Sequence, residues 1–394
     1  FFKQKTAYEL RLSLVGSEMC IRDRPVPARP SLADCLAQRR DNFLLLRLIA
    51  AAMVVFGHSY AMAQIPGLHD FIAMKGWAPG LYTGSIAVEI FFVVSGFLVA
   101  GSYINRRDLK FFVRSRFLRI VPAFVVCVVI CAFVIGPFVT SMPLVEYLSH
   151  RDTRGYVLKN ISFTWLEWYL PGVFESNPYP RVVNGSLWTL PAEVRMYVFL
   201  AVFGVLGLLH RRWLFNLVLG TTFVLAAWFL EPGIGLFRVD SYFRLAGLFA
   251  LGTFFYVNRQ SIPLDGYIAA ALVVLAYLLH GTPHFLGIFG LALGYGSLWF
   301  AYAPRLDGFN RMGDYSYGVY LWGFPVQQCI AWVITAPTPM QVFAWAMPIT
   351  LLIAIASWHW VEKPALKLKN TPMHRWPRAL FRRDQLPGNA PTIA

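Results

Sequence analysis

Long runs of apolar residues recur along this chain, separated by short stretches that contain charged residues, glycine or proline. A run of about 20 apolar residues is long enough to cross a membrane as a helix. The pattern therefore predicts an all-α, polytopic membrane protein. Ten segments fit it, at residues 43–64, 83–104, 117–139, 187–209, 213–230, 242–257, 263–280, 284–303, 314–335 and 341–361.

The basic residues alternate between successive loops, which is typical of membrane proteins with Lys- and Arg-rich cytoplasmic loops. Residues 105–119 carry six of them, whereas the next loops on the opposite side, 65–82 and 231–241, hold only Lys75 and Arg238. This alternation predicts that both termini are cytoplasmic. The loop at 140–186 carries basic residues as well, but long loops follow the rule less strictly.

The composition agrees with a membrane protein, since 57% of the residues are hydrophobic and only 14% are charged. A soluble protein carries about a quarter charged residues. The net charge of +15 does not come from one continuous basic stripe, so we expect membrane lipids and no nucleic acid as partners. The five cysteines predict no disulfide framework.

The chain divides into one long domain with flanking segments. Residues 1–24 match neither a signal peptide nor a membrane span, and we interpret them as translated sequencing-adapter read-through outside the fold. We expect residues 25–41 to be a cytoplasmic lead-in, 42–365 the membrane domain and 366–394 a disordered cytoplasmic tail. The aromatic-rich outer loop, 140–186, either shapes a carbohydrate or lipid-headgroup site or rests on the membrane without a ligand.

Arg47 and His58 lie in one apolar run, eleven residues apart. On an α-helix this is three turns plus about 20°, so both side chains share one face, roughly 16 Å apart along the axis. Ionisable groups inside a membrane span are costly and indicate a path or a site. His58 is predicted toward the outer side, where an imidazole can act as a general base. The alternative is a histidine that makes an interhelical hydrogen bond.

Glu89 and Glu193 are the acidic residues in the neighbouring apolar runs, each predicted near the outer end of its span. Either carboxylate could orient His58 and stabilise its charged form, as carboxylates do in hydrolase triads. Either could instead pair with an intramembrane arginine. The residues alone leave the partner of His58 open.

Arg116 and Arg119 are three residues apart and therefore present two guanidinium groups on one helix face, at the cytoplasmic mouth of the third span. Guanidinium groups suit phosphate because they are planar, permanently charged and bidentate. The alternative is anchoring to anionic lipid headgroups. The sequence contains no GxSxG, Walker, HExxH or CxxC motif, so we expect no metal site.

Residues 41–365 resemble the integral-membrane acyltransferase family 3 through segments in the same order. One departure is Gly323, where many members carry histidine. We also expect no appended soluble hydrolase-like domain. The segments that carry the resemblance are Arg47 with His58, Val88–Gly101 with Glu89, Arg116–Pro122, Ser186–Tyr197 with Glu193, and Tyr315–Pro325.

The resemblance implies O-acylation of a carbohydrate, such as a surface polysaccharide, in the bacterial cytoplasmic membrane. The implied donor is a cytoplasmic acyl-coenzyme A, commonly acetyl-CoA, as co-substrate and without a bound cofactor. Its phosphates would meet Arg116 and Arg119, with Arg47 at the entry and His58 at the thioester. The competing hypotheses are a transporter or flippase of an acyl group or glycolipid without bond chemistry, and a non-catalytic sensor.

Overall fold

The computed structural model describes residues 29–163, 165–229, 242–303 and 306–371. In these residues the regular structure is helical, and β-pairing is limited to isolated bridges. The predictions for residues 1–24 and for the tail from 372 onward lie outside the described residues.

Each of the ten predicted segments contains a helix. Six are long and apolar enough to cross a membrane, counting α4 with the 3-10 turn before it and α10 with its continuation to Asn370. The prediction of an all-α, multi-pass membrane protein is thereby confirmed. The helices are α1 (Phe43–Ala63), α2 (Thr83–Arg106), α3 (Leu109–Val139), α4 (Thr189–Val205), α5 (Arg212–Phe229), α6 (Tyr242–Val257), α7 (Gly266–Leu278), α8 (Phe285–Tyr302), α9 (Ser316–Val333) and α10 (Pro339–Ser357).

Helix α3 begins eight residues before the predicted edge of its span. The Asp108 side chain caps the helix by accepting a hydrogen bond from the backbone N–H of Phe111 at 2.9 Å. Such a cap satisfies a backbone donor that no intrahelical carbonyl can reach. Of the basic stretch at 105–119, Lys110, Arg114, Arg116 and Arg119 therefore lie in α3, whereas Arg106 ends α2. As a result, Arg116 and Arg119 lie on a rigid helix.

Helices α2 and α6 run parallel and approach each other closely at two glycines. A Cβ atom at Gly96 would overlap the carbonyl oxygen of Phe249, and one at Gly252 would overlap the carbonyl oxygen of Val93. Small residues let the backbones of membrane helices pack together, because lipid offers no hydrophobic driving force for their association. This contact fixes the register of α6 against α2.

Helices α1 and α9 also run parallel, since Arg47 pairs with Asp314 at one end and Ser59 bonds to Gln327 near the other. Between these contacts, a Cβ at Gly323 would lie only 2.8 Å from Cγ2 of Val55. Helix α9 thus packs closely against α1 at Gly323, the position where the sequence departs from the family that it resembles.

The loop at 140–186 contains two helices, Leu144–Ser149 and Arg151–Ile161, and its last part is buried against α9. The Asn184 side chain donates to the carbonyl of Leu321 at 2.9 Å, and Gln328 donates to the carbonyl of Val182 at 2.6 Å. These bonds carry the chain into the bundle before the 3-10 turn Gly185–Trp188 leads into α4. The start of α4 consequently lies inside the bundle, where Thr189 lies within hydrogen-bond distance of Tyr320 of α9.

The segments that flank the bundle pack against it. Leu32, at the start of the short helix Leu32–Ala37, is fully buried, and its backbone N–H donates to the carbonyl of Ile262 at 2.9 Å. At the other end, Lys363–Lys367 and a 3-10 turn continue α10, and Leu368 packs against Leu118 of α3.

Candidate active site

Two arginines share one buried carboxylate where α1, α3 and α9 meet. Asp314 Oδ2 lies 2.7 Å from Arg47 Nη1 and 2.5 Å from Arg119 Nη2. Ser316 donates to the other carboxylate oxygen at 2.5 Å, and Glu362 of the α10 extension lies 3.8 Å from Arg119. Charge-assisted bonds of this kind are strong where water is excluded. The shared carboxylate therefore holds the ends of three helices together.

A cavity lies beside this cluster, between α1, α2, α3, α4 and α9. We call it the arginine cavity. Its wall carries three cations but only one carboxylate, that of Glu193. The other side chains on its wall are mostly apolar or aromatic. The polar and charged side chains on its wall are Arg47, Ser95, Arg116, Arg119, Thr189, Glu193, Tyr197, Tyr317 and Tyr320.

Arg116 differs from the other two arginines of the cavity. No carboxylate oxygen of the described residues lies within 4.0 Å of its guanidinium nitrogens. Its guanidinium carbon lies 5.8 Å from the ring centre of Tyr197. Its Nε is buried and has no hydrogen-bond partner in the described part of the chain. A buried guanidinium without a carboxylate of its own is well suited to an incoming anion.

Glu193 faces the arginine cavity. It accepts a short hydrogen bond from the hydroxyl of Tyr197, one turn further along α4, and a longer one of 3.4 Å from Ser95. Arg195 points elsewhere, with its guanidinium 5.6 Å from the ring centre of Tyr242.

Glu89 is engaged by Arg244 of α6. Its two oxygens lie 2.5 and 2.8 Å from Nε and Nη2 of the guanidinium, which also donates to the carbonyl of Leu286 at 3.1 Å. The side chains of this pair are 1% and 4% exposed. Glu89 could have oriented His58 or paired with an intramembrane arginine, and the structure shows the pairing with an arginine. Because both of its oxygens bind Arg244, the Glu89 carboxylate is not available to orient His58.

His58 lies at the other end of α1 from Arg47. Its ring packs edge-on against Phe324, with centroids 5.3 Å apart, and its Nδ1 is buried without a hydrogen-bond partner in the described residues. It lines a second, wider pocket formed by the end of α1 and the following loop. We call this the histidine pocket. Other polar and aromatic side chains on its wall are Tyr60, Gln64, His69, Asp70 and Tyr82.

No carboxylate of the described residues pairs with His58, so the structure does not form the predicted carboxylate–imidazole pair. The acidic side chain nearest in the pocket wall is Asp70, but the backbone already uses both of its oxygens. They accept from the N–H groups of Ala73 at 2.8 Å and Thr83 at 2.7 Å. Asp70 thus caps a short helix and anchors the start of α2.

Sequence reasoning missed Asp314 and Arg244, although each carried a usable signal. Asp314 is the first residue of the ninth predicted span, and Arg244 is the third residue of the sixth. An ionisable residue inside or at the edge of an apolar run requires a partner. Applying that rule to every span would have selected both residues, without naming the groups that they contact.

These features define an integral-membrane protein with a buried, positively charged cavity and a histidine-lined pocket at the two ends of one helix. The family profile described as acyltransferase domain, of the acyltransferase 3 type, matches residues 41–359, so the chain belongs to that family. It is an acyl-transferring enzyme. No solved structure matches the chain.

Several characterised or named proteins are similar along most of this chain. An O-acetyl transferase of Shigella phage Sf6 is 28% identical, over 82% of this chain and 96% of its own length. Nodulation protein 10 of Rhizobium leguminosarum bv. viciae is 27% identical, over 85% and 96%. The peptidoglycan O-acetyltransferase OatA of Listeria monocytogenes is 27% identical, over 74% of this chain and 52% of its own.

Removing either partner of the Glu89–Arg244 pair should destabilise the protein. Glu89→Ala and Arg244→Ala each break this buried ion pair, and we expect a loss of about 3–5 kcal/mol in unfolding free energy. The double variant Glu89→Leu with Arg244→Met removes both charges and should recover most of that loss. Thermal unfolding of the detergent-purified protein measures the effect.

The exposed Lys159–Glu167 pair, 2.7 Å apart, provides the control, and Lys159→Ala should change stability by no more than about 1 kcal/mol. A folded double variant that retains acyl transfer identifies Glu89 as structural. A stable double variant without activity would instead restore Glu89 as a catalytic candidate.

Proposed function

We propose that this protein moves an acyl group, most simply acetyl, from cytoplasmic acyl-CoA to a hydroxyl of a carbohydrate acceptor. The acceptor would be a surface polysaccharide or a related glycan, and the enzyme would lie in a bacterial cytoplasmic membrane. One observation carries the proposal: in an acyltransferase, the arginine cavity and His58 occupy opposite ends of α1. This separation offers an anion-binding site and a proton acceptor on one rigid element.

The donor would bind in the arginine cavity through its phosphates. Arg116 is the first candidate for a phosphate contact, because no carboxylate of the described residues lies within ion-pair distance of it. Arg47 and Arg119 share Asp314, so they would contribute positive potential while remaining tied to the helices. Glu193, bonded to Tyr197, would offset the charge on Arg116 and hold it in place between turnovers. We therefore propose a role for Glu193 at the donor end.

The acceptor would enter the histidine pocket. Tyr60, Gln64 and His69 give this pocket aromatic faces and hydrogen-bonding groups without a surplus of charge. A neutral sugar suits such a wall, because a few placed polar groups can fix its orientation. The OatA relative is named a peptidoglycan O-acetyltransferase, which supports a carbohydrate acceptor.

The reaction would proceed at His58. The imidazole accepts the proton of the acceptor hydroxyl as its oxygen attacks the thioester carbonyl. The carbon–sulfur bond then breaks, and the imidazolium returns the proton to the departing thiolate of coenzyme A. Holding both substrates in one orientation lowers the entropic part of the barrier. An acyl-histidine intermediate is the alternative route through the same residue.

We propose that all ten helices cross the membrane and that both termini are cytoplasmic. Helix directions support this topology. Helices α2 and α6 run parallel, with Glu89 paired to Arg244 at one end and Asn105 bonded to Tyr256 at the other. The parallel directions of α1 and α9 also agree with this topology, because two odd-numbered spans must cross the membrane in the same direction.

Reporter fusions test the topology. A fusion placed after Arg212, at the start of α5, should report the cytoplasm, and one after Ala336, between α9 and α10, should report the outer side. An alkaline phosphatase and a green fluorescent protein fusion at each site give opposite signals and control for expression. Both sites on one side would contradict ten alternating spans.

Arg116→Ala should weaken donor binding and raise the KM for acyl-CoA. One charge-assisted phosphate contact contributes about 1.5–3 kcal/mol, which corresponds to roughly a ten- to hundredfold change. Arg119→Ala should also lower thermal stability, because it removes one partner of the shared Asp314 carboxylate. Arg195→Ala, on the other face of α4, is the control and should leave KM unchanged. An unaltered KM in Arg116→Ala would assign that residue to lipid anchoring.

His58→Gln should abolish acyl transfer while the protein stays folded and inserted. Loss of a general base typically costs 10²–10⁴-fold in rate, and glutamine keeps a polar group but cannot accept the proton. Release of free coenzyme A from acetyl-CoA by purified protein measures the rate. The wild-type rate should rise with pH as the imidazole loses its proton. Near wild-type turnover of His58→Gln would end the proposal, and uptake of donor without thioester loss would indicate transport.

A further inference from the structure

We infer that Phe91 and Tyr320 form an aromatic constriction between the arginine cavity and His58, and that this constriction limits the length of the acyl group transferred. The inference rests on the proposed function, because it assigns specificity to that same site. Both side chains line the arginine cavity, and their rings meet edge-on with centroids 5.9 Å apart.

The order of contacts along α9 places this pair on the route to His58. Asp314, just before α9, holds the arginines, whereas Phe324 touches the imidazole. Tyr320 lies between them, about 9 Å beyond Asp314 and about 6 Å before Phe324 by the helical rise of 1.5 Å per residue. A thioester that moves along α9 from the arginines to His58 therefore passes the level of Tyr320.

The order along α2 is the same. Gly84 touches Gly57, the neighbour of His58, and Ser95 bonds to Glu193 at the donor end. Phe91 lies between these two positions, about 10 Å from Gly84 along the helix axis. Two independent helices thus place an aromatic ring at the same level.

Tyr320 is held firmly in this position. Its hydroxyl donates to the carbonyl of Ser186 at 2.7 Å and lies 2.5 Å from the hydroxyl of Thr189, which can donate to it. The side chain is buried. Ser186 lies in the 3-10 turn and Thr189 at the start of α4, so the ring cannot swing aside without breaking its bonds to both. Phe91 has no polar anchor and is the more adaptable half of the pair.

The physical consequence is discrimination by chain length. An acetyl group adds one methyl to the thioester carbonyl, whereas each further methylene must be accommodated between two rings that are already in contact. Extra methylenes in a packed interior force strained side chains. A pocket of fixed size discriminates by roughly 10- to 200-fold per methylene.

The test compares acetyl-, butyryl- and hexanoyl-CoA as donors for the protein purified in detergent. Release of free coenzyme A is measured with methyl α-D-glucoside as the carbohydrate probe, so that transfer and hydrolysis are both counted. Wild type should prefer acetyl-CoA by at least about tenfold in kcat/KM over butyryl-CoA. Phe91→Ala should reduce that preference at least about tenfold, and the milder Phe91→Leu should reduce it less. Phe91→Trp should sharpen it.

Phe117→Ala provides the matched control, because Phe117 is a half-exposed phenylalanine on α3 that lies outside the arginine cavity. Its donor preference should equal that of wild type. Equal use of all donors by wild type, or an unchanged preference in folded Phe91→Leu and Phe91→Trp, would overturn the inference. No release from any donor by wild type would instead reject the proposed function, and this inference with it.

Discussion

The shared carboxylate of Asp314 is the interaction on which the site depends. It accepts from Arg47 of α1 and Arg119 of α3 while lying at the start of α9, so one buried anion joins three helices. Without it, two guanidinium groups would face each other in a region with little water, where unpaired charges are very costly. The ion pairs therefore explain both how the helix ends converge and why a cationic cavity forms beside them.

A second buried pair, Glu89 with Arg244, acts in the same way between α2 and α6. The charged residues of the bundle therefore fall into two groups, those that pair with a charge on another helix and those that do not. Arg47, Arg119, Glu89 and Arg244 each pair with a charge on another element of the bundle. Arg116 is different, because its guanidinium lines the cavity without an ion pair of its own among the described residues. A charged side chain is thus available to a ligand only where the fold has not already paired it with an opposite charge.

The buried end of the 140–186 loop separates the site into two compartments, the arginine cavity and the histidine pocket. Hydrogen bonds from Asn184 and Gln328 draw this segment against α9, and Ser186 then accepts from Tyr320. Because the segment enters the bundle, Glu193 lies beside Ser95 in the middle of α2. The arginine cavity and the histidine pocket consequently contact different parts of α1, with aromatic side chains between them.

The sequence by itself determined the helices and the residues that share a helix face, because periodicity and apolar length are local properties. It therefore predicted the all-α membrane fold, Arg47 with His58, and Arg116 with Arg119. The partners of the charged groups are a matter of tertiary structure. Arg47 and Asp314 are 267 residues apart, and Glu89 and Arg244 are 155 apart. No local pattern links such residues, because only packing of the helices brings them together. That packing pairs Glu89 with Arg244, and within the part of the chain that the structure describes it pairs no carboxylate with His58.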